Sequence, residues 1–211
     1  LVAAPVPGAN DLSAEAAGRR ALRNAALHLL AVGGDIEPAV EAAAIARTMT
    51  DRLAALSALN AAHAPEAEDA LTAFHNTFRD EPLVLDKYFA LQALRGDGDV
   101  LGRVKALMDH PAFSLANPNR TRSLIGAFSQ NIPAFHGADG SGYRFVGDIA
   151  KTLDASNPQV AARLLTGFGD ARRYDAQRRT AAHKVLEDIA ASAKSSDVAD
   201  IVRRLLAAAK G

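Results

Sequence analysis

Six histidines, His28, His63, His75, His110, His136 and His183, are the first residues to weigh as metal ligands. No two stand four apart on a helix, and there is no H-E-x-x-H, the spacing that aims two ligands at one zinc ion from a single helical face. The chain has no cysteine, which excludes disulfides, thiolate ligands and a thiol nucleophile. Ser141 lies between Gly140 and Gly142, but Asp139 occupies the position where a nucleophile elbow needs its first glycine. The glycine-rich stretch 137–142 lacks G-K-[ST] and follows no strand, so it does not read as a phosphate loop. Asp139-Gly140-Ser141 lacks the downstream ligands of a calcium loop. Neighbouring acids such as Glu66, Glu68 and Asp69 read as a solvated helix face, with no apolar pocket to raise a pKa. The expectation is therefore no catalytic residue, no metal site and no cofactor within this segment.

Arginines are more informative. Arg120 and Arg122 open a helical run, and Arg163 follows Gln159 by one helical turn, so these two share a face. They border an apolar stripe of Val160, Leu164 and Phe168. A guanidinium offers forked donors that could grip a carboxylate or a backbone carbonyl in a groove; the alternative is a surface salt bridge.

The elements that would position these residues are all helical. Hydrophobic residues make up 49% of 211 residues while aromatics make up 5%. Much of the apolar share is alanine, a strong helix former whose small face lets helices approach closely. Residues 1–12, with Pro5 and Pro7, read as a tail or linker. Ser13 is a candidate N-cap for a helix with Leu22, Ala26, Leu29 and Leu30 on its apolar stripe, ended by Gly33-Gly34. Pro38 starts a helix to about Thr48, Thr50 is a candidate cap for the next, and Pro65 and Pro82 open two more. Gly96-Asp97-Gly98-Asp99 is a turn, and a helix through Val104 stops before Pro111. Asn119 is a candidate cap for the helix holding Leu124, Ile125 and Phe128. Residues 131–142 read as the longest loop. Helices resume at about 143–155, 158–168, 175–193 and 197–209, with Asn157-Pro158 as cap and first helical residue. About ten amphipathic helices with no strand imply an all-α fold, an irregular α-α superhelix over 13–211 without a fixed repeat period, with a globular bundle as the competing architecture.

Charge limits the partners. Lys plus Arg and Asp plus Glu are 24 each, so no bulk field draws in nucleic acid. No run of about 18 apolar residues is free of charge, so no membrane span is expected. The first residues lack a secretory pattern, and the absence of cysteine fits a reducing, cytoplasmic location. There is no initiator methionine, which suggests a fragment or processed chain.

Several runs, in order, resemble one family. They are Gly18-Arg-Arg-Ala-Leu-Arg-Asn24, Met49-Thr-Asp51 with Leu53-Ala-Ala-Leu-Ser57, Leu83-Val-Leu-Asp-Lys-Tyr-Phe89, His110-Pro-Ala-Phe113, Asn117-Pro-Asn-Arg-Thr-Arg-Ser-Leu-Ile-Gly-Ala-Phe128, Phe135-His136, Asp139-Gly-Ser-Gly-Tyr143, Asn157-Pro-Gln-Val-Ala-Ala-Arg163 and Arg173-Tyr-Asp175. Together they resemble the C-terminal domain of bacterial aminopeptidase N, in the M1 zinc metallopeptidase family, from about residue 15 onward and covering the latter part of that domain. The resemblance implies a non-catalytic helical superhelix that caps the active site of an upstream catalytic domain of the same polypeptide and restricts peptide access to a shared chamber. Zinc would sit in that upstream domain, and this segment alone would be inactive. By motif, the resemblance points to Arg122, Gln159 and Arg163 as the side chains that reach the peptide substrate. The alternative is an independent helical scaffold that binds a protein or peptide partner; neither reading involves nucleic acid or a membrane.

Overall fold

The computed structural model describes residues 11–209, which contain twelve α-helices and no strand. The proposed tail at 1–12 lies outside these residues except for Asp11 and Leu12, which precede the first helix. The helices are α1 (Ala14–Val32), α2 (Glu37–Ile45), α3 (Met49–Ala61), α4 (Glu66–Phe78), α5 (Pro82–Ala93), α6 (Val100–Met108), α7 (Pro118–Thr121), α8 (Ile132–Phe135), α9 (Ser141–Asp154), α10 (Pro158–Leu165), α11 (Ala176–Ala190) and α12 (Ser196–Ala208). A π turn, Arg122–Gly126, continues α7, and a 3₁₀ segment, Thr166–Arg173, continues α10.

Most helix starts are fixed by one side-chain acceptor, because the first turn has amide hydrogens with no intrahelical partner. Ser13 Oγ accepts from the Ala16 amide at 3.2 Å. Two caps differ from the sequence expectation. Thr48, not Thr50, caps α3: its Oγ1 accepts from the Asp51 amide at 3.1 Å and donates to Asp51 Oδ2 at 2.8 Å. This reciprocal pairing places Thr50 inside the first turn. Asn117, not Asn119, caps α7, with its Oδ1 accepting from the Asn119 amide at 2.9 Å and the Arg120 amide at 3.3 Å. Pro118, which lacks the amide hydrogen the first position does not need, follows as the first helical residue. Replacing Asn117 with alanine should cost about 1 kcal/mol, read as a lowered urea midpoint with unchanged slope.

The chain divides into two compact units, residues 11–91 with 95–97, and residues 92–94 with 98–209. In the first unit, Leu27, Ala31, Ala39, Ala55, Leu59 and Ala67 form one buried cluster, and Leu56, Leu71, Phe74 and Leu91 another. Alanine faces bring α1, α2 and α3 close. The expected stripe of α1 is not the buried one: α1 turns Ala16, Leu27 and Ala31 inward and leaves Leu22, Leu29 and Leu30 exposed, Leu29 by 71%. The helix is apolar on two sides, and packing against α3 selects the alanine-containing one. Buried polar groups stitch this unit. Asp51 Oδ1 accepts from Arg23 Nη2 at 3.0 Å and Asn24 Nδ2 at 3.2 Å. Asn60 Nδ2 donates to the Leu91 carbonyl at 2.9 Å. The Arg95 side chain, 5% exposed, pairs with Glu68 and donates from Nε and Nη2 to Asp97 at 2.8 and 2.6 Å. Glu68 is thus an ion-pair partner rather than a freely solvated acid.

The second unit is built on rings. Phe128, Phe135, Tyr143 and Phe168 are buried, and Phe135 meets the other three with centroids 5.1–6.3 Å apart, all near edge-on. Such geometry sets a positive ring edge on a negative face. The stretch expected as the longest loop, 131–142, contains helix α8 instead, capped by Asn131, whose Oδ1 accepts from the Ala134 amide at 3.3 Å. Asn131 Nδ2 also donates to the Ala93 carbonyl at 3.0 Å.

Candidate functional site

The Asn117–Phe128 run forms a helix interrupted by the π turn. Its start is anchored by buried polar residues: Arg120 Nε donates to the Ala112 carbonyl at 3.0 Å and Thr121 Oγ1 to the Leu115 carbonyl at 3.1 Å. Directly after this anchored turn the ladder widens at Arg122. Single π turns inside α-helices are uncommon and recur at functional sites, because they re-aim side chains without ending the helix. Arg122 is exposed at the head of this turn. Its Nε donates to the Pro118 carbonyl at 3.1 Å and its Nη2 to Asn119 Oδ1 at 2.9 Å, which fixes the guanidinium along the helix.

The π turn packs on α10, where Gly126 faces the Leu164 side chain. Asn157 caps α10, its Oδ1 accepting from the Val160 amide at 3.3 Å. Helix α10 buries Val160, Ala161, Leu164 and Leu165. Gln159 and Arg163 lie on its exposed side, one turn apart, and neither side chain has a hydrogen-bond or ion-pair partner among the described residues. The structure therefore brings together the two elements that carry Arg122, Gln159 and Arg163. It presents one guanidinium already tied to its own helix and one, with an amide beside it, free to bind.

The same unit holds a polar cluster that periodicity did not identify. His136 Nδ1 and Tyr143 Oη share a hydrogen bond of 2.7 Å, and the Tyr174 ring lies 4.4 Å from the imidazole at 31°. Arg178 Nε donates to the His136 carbonyl at 2.7 Å and pairs with Asp175, which caps α11. Burial holds the His136 pKa below its ordinary value, opposed by Asp170 and assisted by Arg178. Burial also pushes Tyr143 up to about 12. Both groups are neutral near pH 7 and Tyr143 is fully buried, so the pair fixes position rather than exchanging protons with a ligand. Phe135-His136, Asp139–Tyr143 and Arg173–Asp175 meet here. Their order along the chain was visible; their convergence, with Arg178 bonding back across 42 positions to His136, was not.

The loop before α9 is structural as well. Asp139 Oδ1 accepts from the Ser141 amide at 3.1 Å and the Ser141 hydroxyl at 2.9 Å. These bonds hold its carboxyl below the usual range, which makes it a poor base for the Ser141 hydroxyl. Among the described residues no three His, Cys, Asp or Glu side chains are grouped to hold a metal ion. That donor set does not fit a zinc centre. Among the same residues no helix is long and apolar enough to cross a membrane.

Comparison with known proteins identifies the family and supports the fold. Residues 3–207 match the family described as "Domain of unknown function (DUF3458_C) ARM repeats", a helical-repeat description that fits the expected all-α superhelix. Aminopeptidase N of Haemophilus influenzae is 48% identical over 143 residues, 67% of this chain and 16% of that protein. Aminopeptidase N of Caulobacter vibrioides is 43% identical over 173 residues, 80% of this chain and 20% of that protein. The crystal structure of Legionella pneumophila aminopeptidase A in complex with aspartic acid superposes with a TM-score of 0.81 at 33% identity, over 92% of this chain and 23% of that one. The chain thus spans a fifth or less of the length of these curated relatives. It belongs to the DUF3458_C ARM-repeat family and is similar to the helical C-terminal domain of aminopeptidase N-like proteins.

Proposed function

We propose that this chain is a non-catalytic helical domain of a zinc-dependent M1-type aminopeptidase, acting in the cytoplasm, which caps the active site of a catalytic domain in the same polypeptide and narrows the path of peptides to it. The observation that carries this reading is the α10 face, where Gln159 and Arg163 stand one turn apart, exposed and without internal partners. Leaving a guanidinium unpaired beside an amide makes sense where a peptide supplies the acceptors: Arg163 would take a backbone carbonyl or carboxylate, and Gln159 can both donate and accept. Arg122, fixed on the neighbouring π turn, would contribute its remaining donors. The exposed apolar side of α1 also supports a larger polypeptide. Terminal repeats of helical arrays carry a polar outer face, whereas α1 presents Leu22, Leu29 and Val32.

In this reading Arg163→Ala in the full-length enzyme should raise KM for tetrapeptides about tenfold, the loss of one charge-assisted hydrogen bond. KM for a single aminoacyl chromogenic substrate should stay within about twofold. Equal effects on both substrates, or none on either, would remove Arg163 from the peptide path. The isolated 211-residue chain should not hydrolyse either substrate with zinc added. The α1 face also suits the second reading, an independent scaffold that docks a protein or peptide partner. An open reading frame that starts at Leu1 would favour it, whereas one encoding H-E-x-x-H upstream would favour the peptidase.

A further inference from the structure

A cleft in the second unit lies apart from Arg122, Gln159 and Arg163. It has a volume of about 580 Å³ and is bounded by the 3₁₀ segment Thr166–Arg173, α11 and the end of α12. That volume is within the range of small-molecule sites, roughly 300–1,000 Å³. Its floor is apolar, from Phe168, Leu186 and Leu205. Arg179, Ala182, His183 and Leu186 line it at i, i+3, i+4 and i+7, so one stripe of α11 runs from a guanidinium to the buried floor. Arg172 faces the cleft from the 3₁₀ segment, is exposed, and has no side-chain partner among the described residues. Arg179 Nη1 donates to the Tyr174 carbonyl at 2.8 Å, which steadies the guanidinium and leaves its other donors available. The lining carries three cations, Arg172, Arg179 and Lys184, against two carboxylates, Glu187 and Asp188. Those five side chains leave an excess of one positive charge, and the His183 Nδ1 lies 3.5 Å from Glu187 Oε2.

We infer that this cleft binds an apolar monocarboxylate, with the carboxylate forked between Arg172 and Arg179 and the hydrocarbon body laid on Phe168, Leu186 and Leu205. The charge excess matches one carboxylate. Glu187 and Asp188 follow Arg179 by two helical turns or more, about 12 Å along the axis, so they repel a second negative group at the far end of the ligand. The carboxylate needs no proton or metal for this, only forked donors beside a surface that sheds water. Such a head and body occur both at the end of a peptide with a large apolar last residue and in a medium-chain fatty acid. The inference does not depend on the peptidase reading.

The test is a titration of the ¹⁵N-labelled 211-residue chain with N-acetyl-L-phenylalanine, N-acetyl-L-phenylalaninamide, octanoate and the dicarboxylate suberate. Saturable shifts at amides between residues 168 and 186, with Kd on the order of millimolar for a carboxylate probe of this size, are expected. The amide and suberate should bind about tenfold more weakly than their monocarboxylate counterparts. Preference for the acetylated amino acid would identify a peptide end, and preference for octanoate a fatty acid; both support a carboxylate site. Arg172→Gln, at a side chain with no structural bond to lose, should weaken binding severalfold at an unchanged Tm, and R172Q/R179Q about tenfold. Equal binding of acid and amide, unchanged affinity in R172Q, or no saturation by either monocarboxylate would each overturn the proposal.

Discussion

Replacing Asp154 with alanine should lower the unfolding free energy by about 3 kcal/mol at pH 7, the expected result of stranding several buried donors at once. Asp154 is the last residue of α9, is 4% exposed, and reaches the start of α12. Its Oδ2 accepts from the Lys194 amide at 2.6 Å; its Oδ1 accepts from the Ser195 amide at 3.2 Å and from the Ser195 hydroxyl. Ser195 Oγ in turn caps α12, accepting from the Val198 amide at 3.2 Å. One carboxylate therefore orders the turn, the cap and the first turn of the last helix. Asp154→Asn keeps one acceptor oxygen and should lose about half as much.

The same contacts set a pH dependence. Burial pushes the Asp154 pKa up, but hydrogen bonds from the Ser195 hydroxyl and the Lys194 and Ser195 amides outweigh it, and the group ends below the ordinary carboxylate value of 3.8. A folded-state pKa below the unfolded one means that the unfolded chain takes the proton more readily. The stabilisation is fully present above about pH 4 and is lost as pH falls through the folded-state value. The gap in urea midpoint between the wild-type chain and Asp154→Asn should be constant from pH 5 to 7 and shrink below pH 4. A gap unchanged at pH 2.5 would show that the carboxylate charge contributes nothing.

How much of this was legible in the sequence differs by kind of interaction. Helix positions were readable because their punctuation is local: Ser13, Gly33-Gly34, Pro38, Pro82 and Asn157-Pro158 act on neighbouring backbone. Where two residues could serve as a cap, the sequence did not choose. Thr48 won over Thr50 because Asp51, three positions on, returns the bond, and Asn117 won over Asn119 because Pro118 suits the first helical position. The facing of α1 was not readable, since Leu22 and Leu29 look as core-like as Leu27 until α3 is in place. The π turn had no local signal either; it follows from anchoring Arg120 and Thr121 to a preceding loop while α10 packs against Gly126. For the candidate site, the i, i+4 relation of Gln159 and Arg163 was visible and their exposure was not. The long-range polar links, Arg95 with Glu68, Asp51 with Arg23, and Arg178 with the His136 carbonyl, depend on tertiary approach that no periodic pattern encodes.

Gly142→Ala should be the most damaging single methyl in the second unit, costing about 3 kcal/mol or more. A Cβ at this position would lie 2.4 Å from the Phe135 carbonyl oxygen and 2.8 Å from the Ala134 carbonyl oxygen and Phe135 Cα. All three are backbone atoms, so no rotamer change relieves the overlap; α8 or the start of α9 must move. The move would be costly because the neighbours on both sides are held: Phe135 is wedged among Phe128, Tyr143 and Phe168, and Tyr143 is bonded to His136. Gly18 provides the contrast. It lies in α1 with nothing within 4 Å of an added Cβ, so Gly18→Ala should stabilise by about 0.5–1 kcal/mol through helix propensity and a less flexible unfolded chain. Thermal melts of the two variants should shift in opposite directions, and Gly142→Ala should also weaken the near-ultraviolet tyrosine signal of the His136–Tyr143–Tyr174 cluster. If Gly142→Ala melts within a degree of wild type, α8 and α9 do not approach as closely as described.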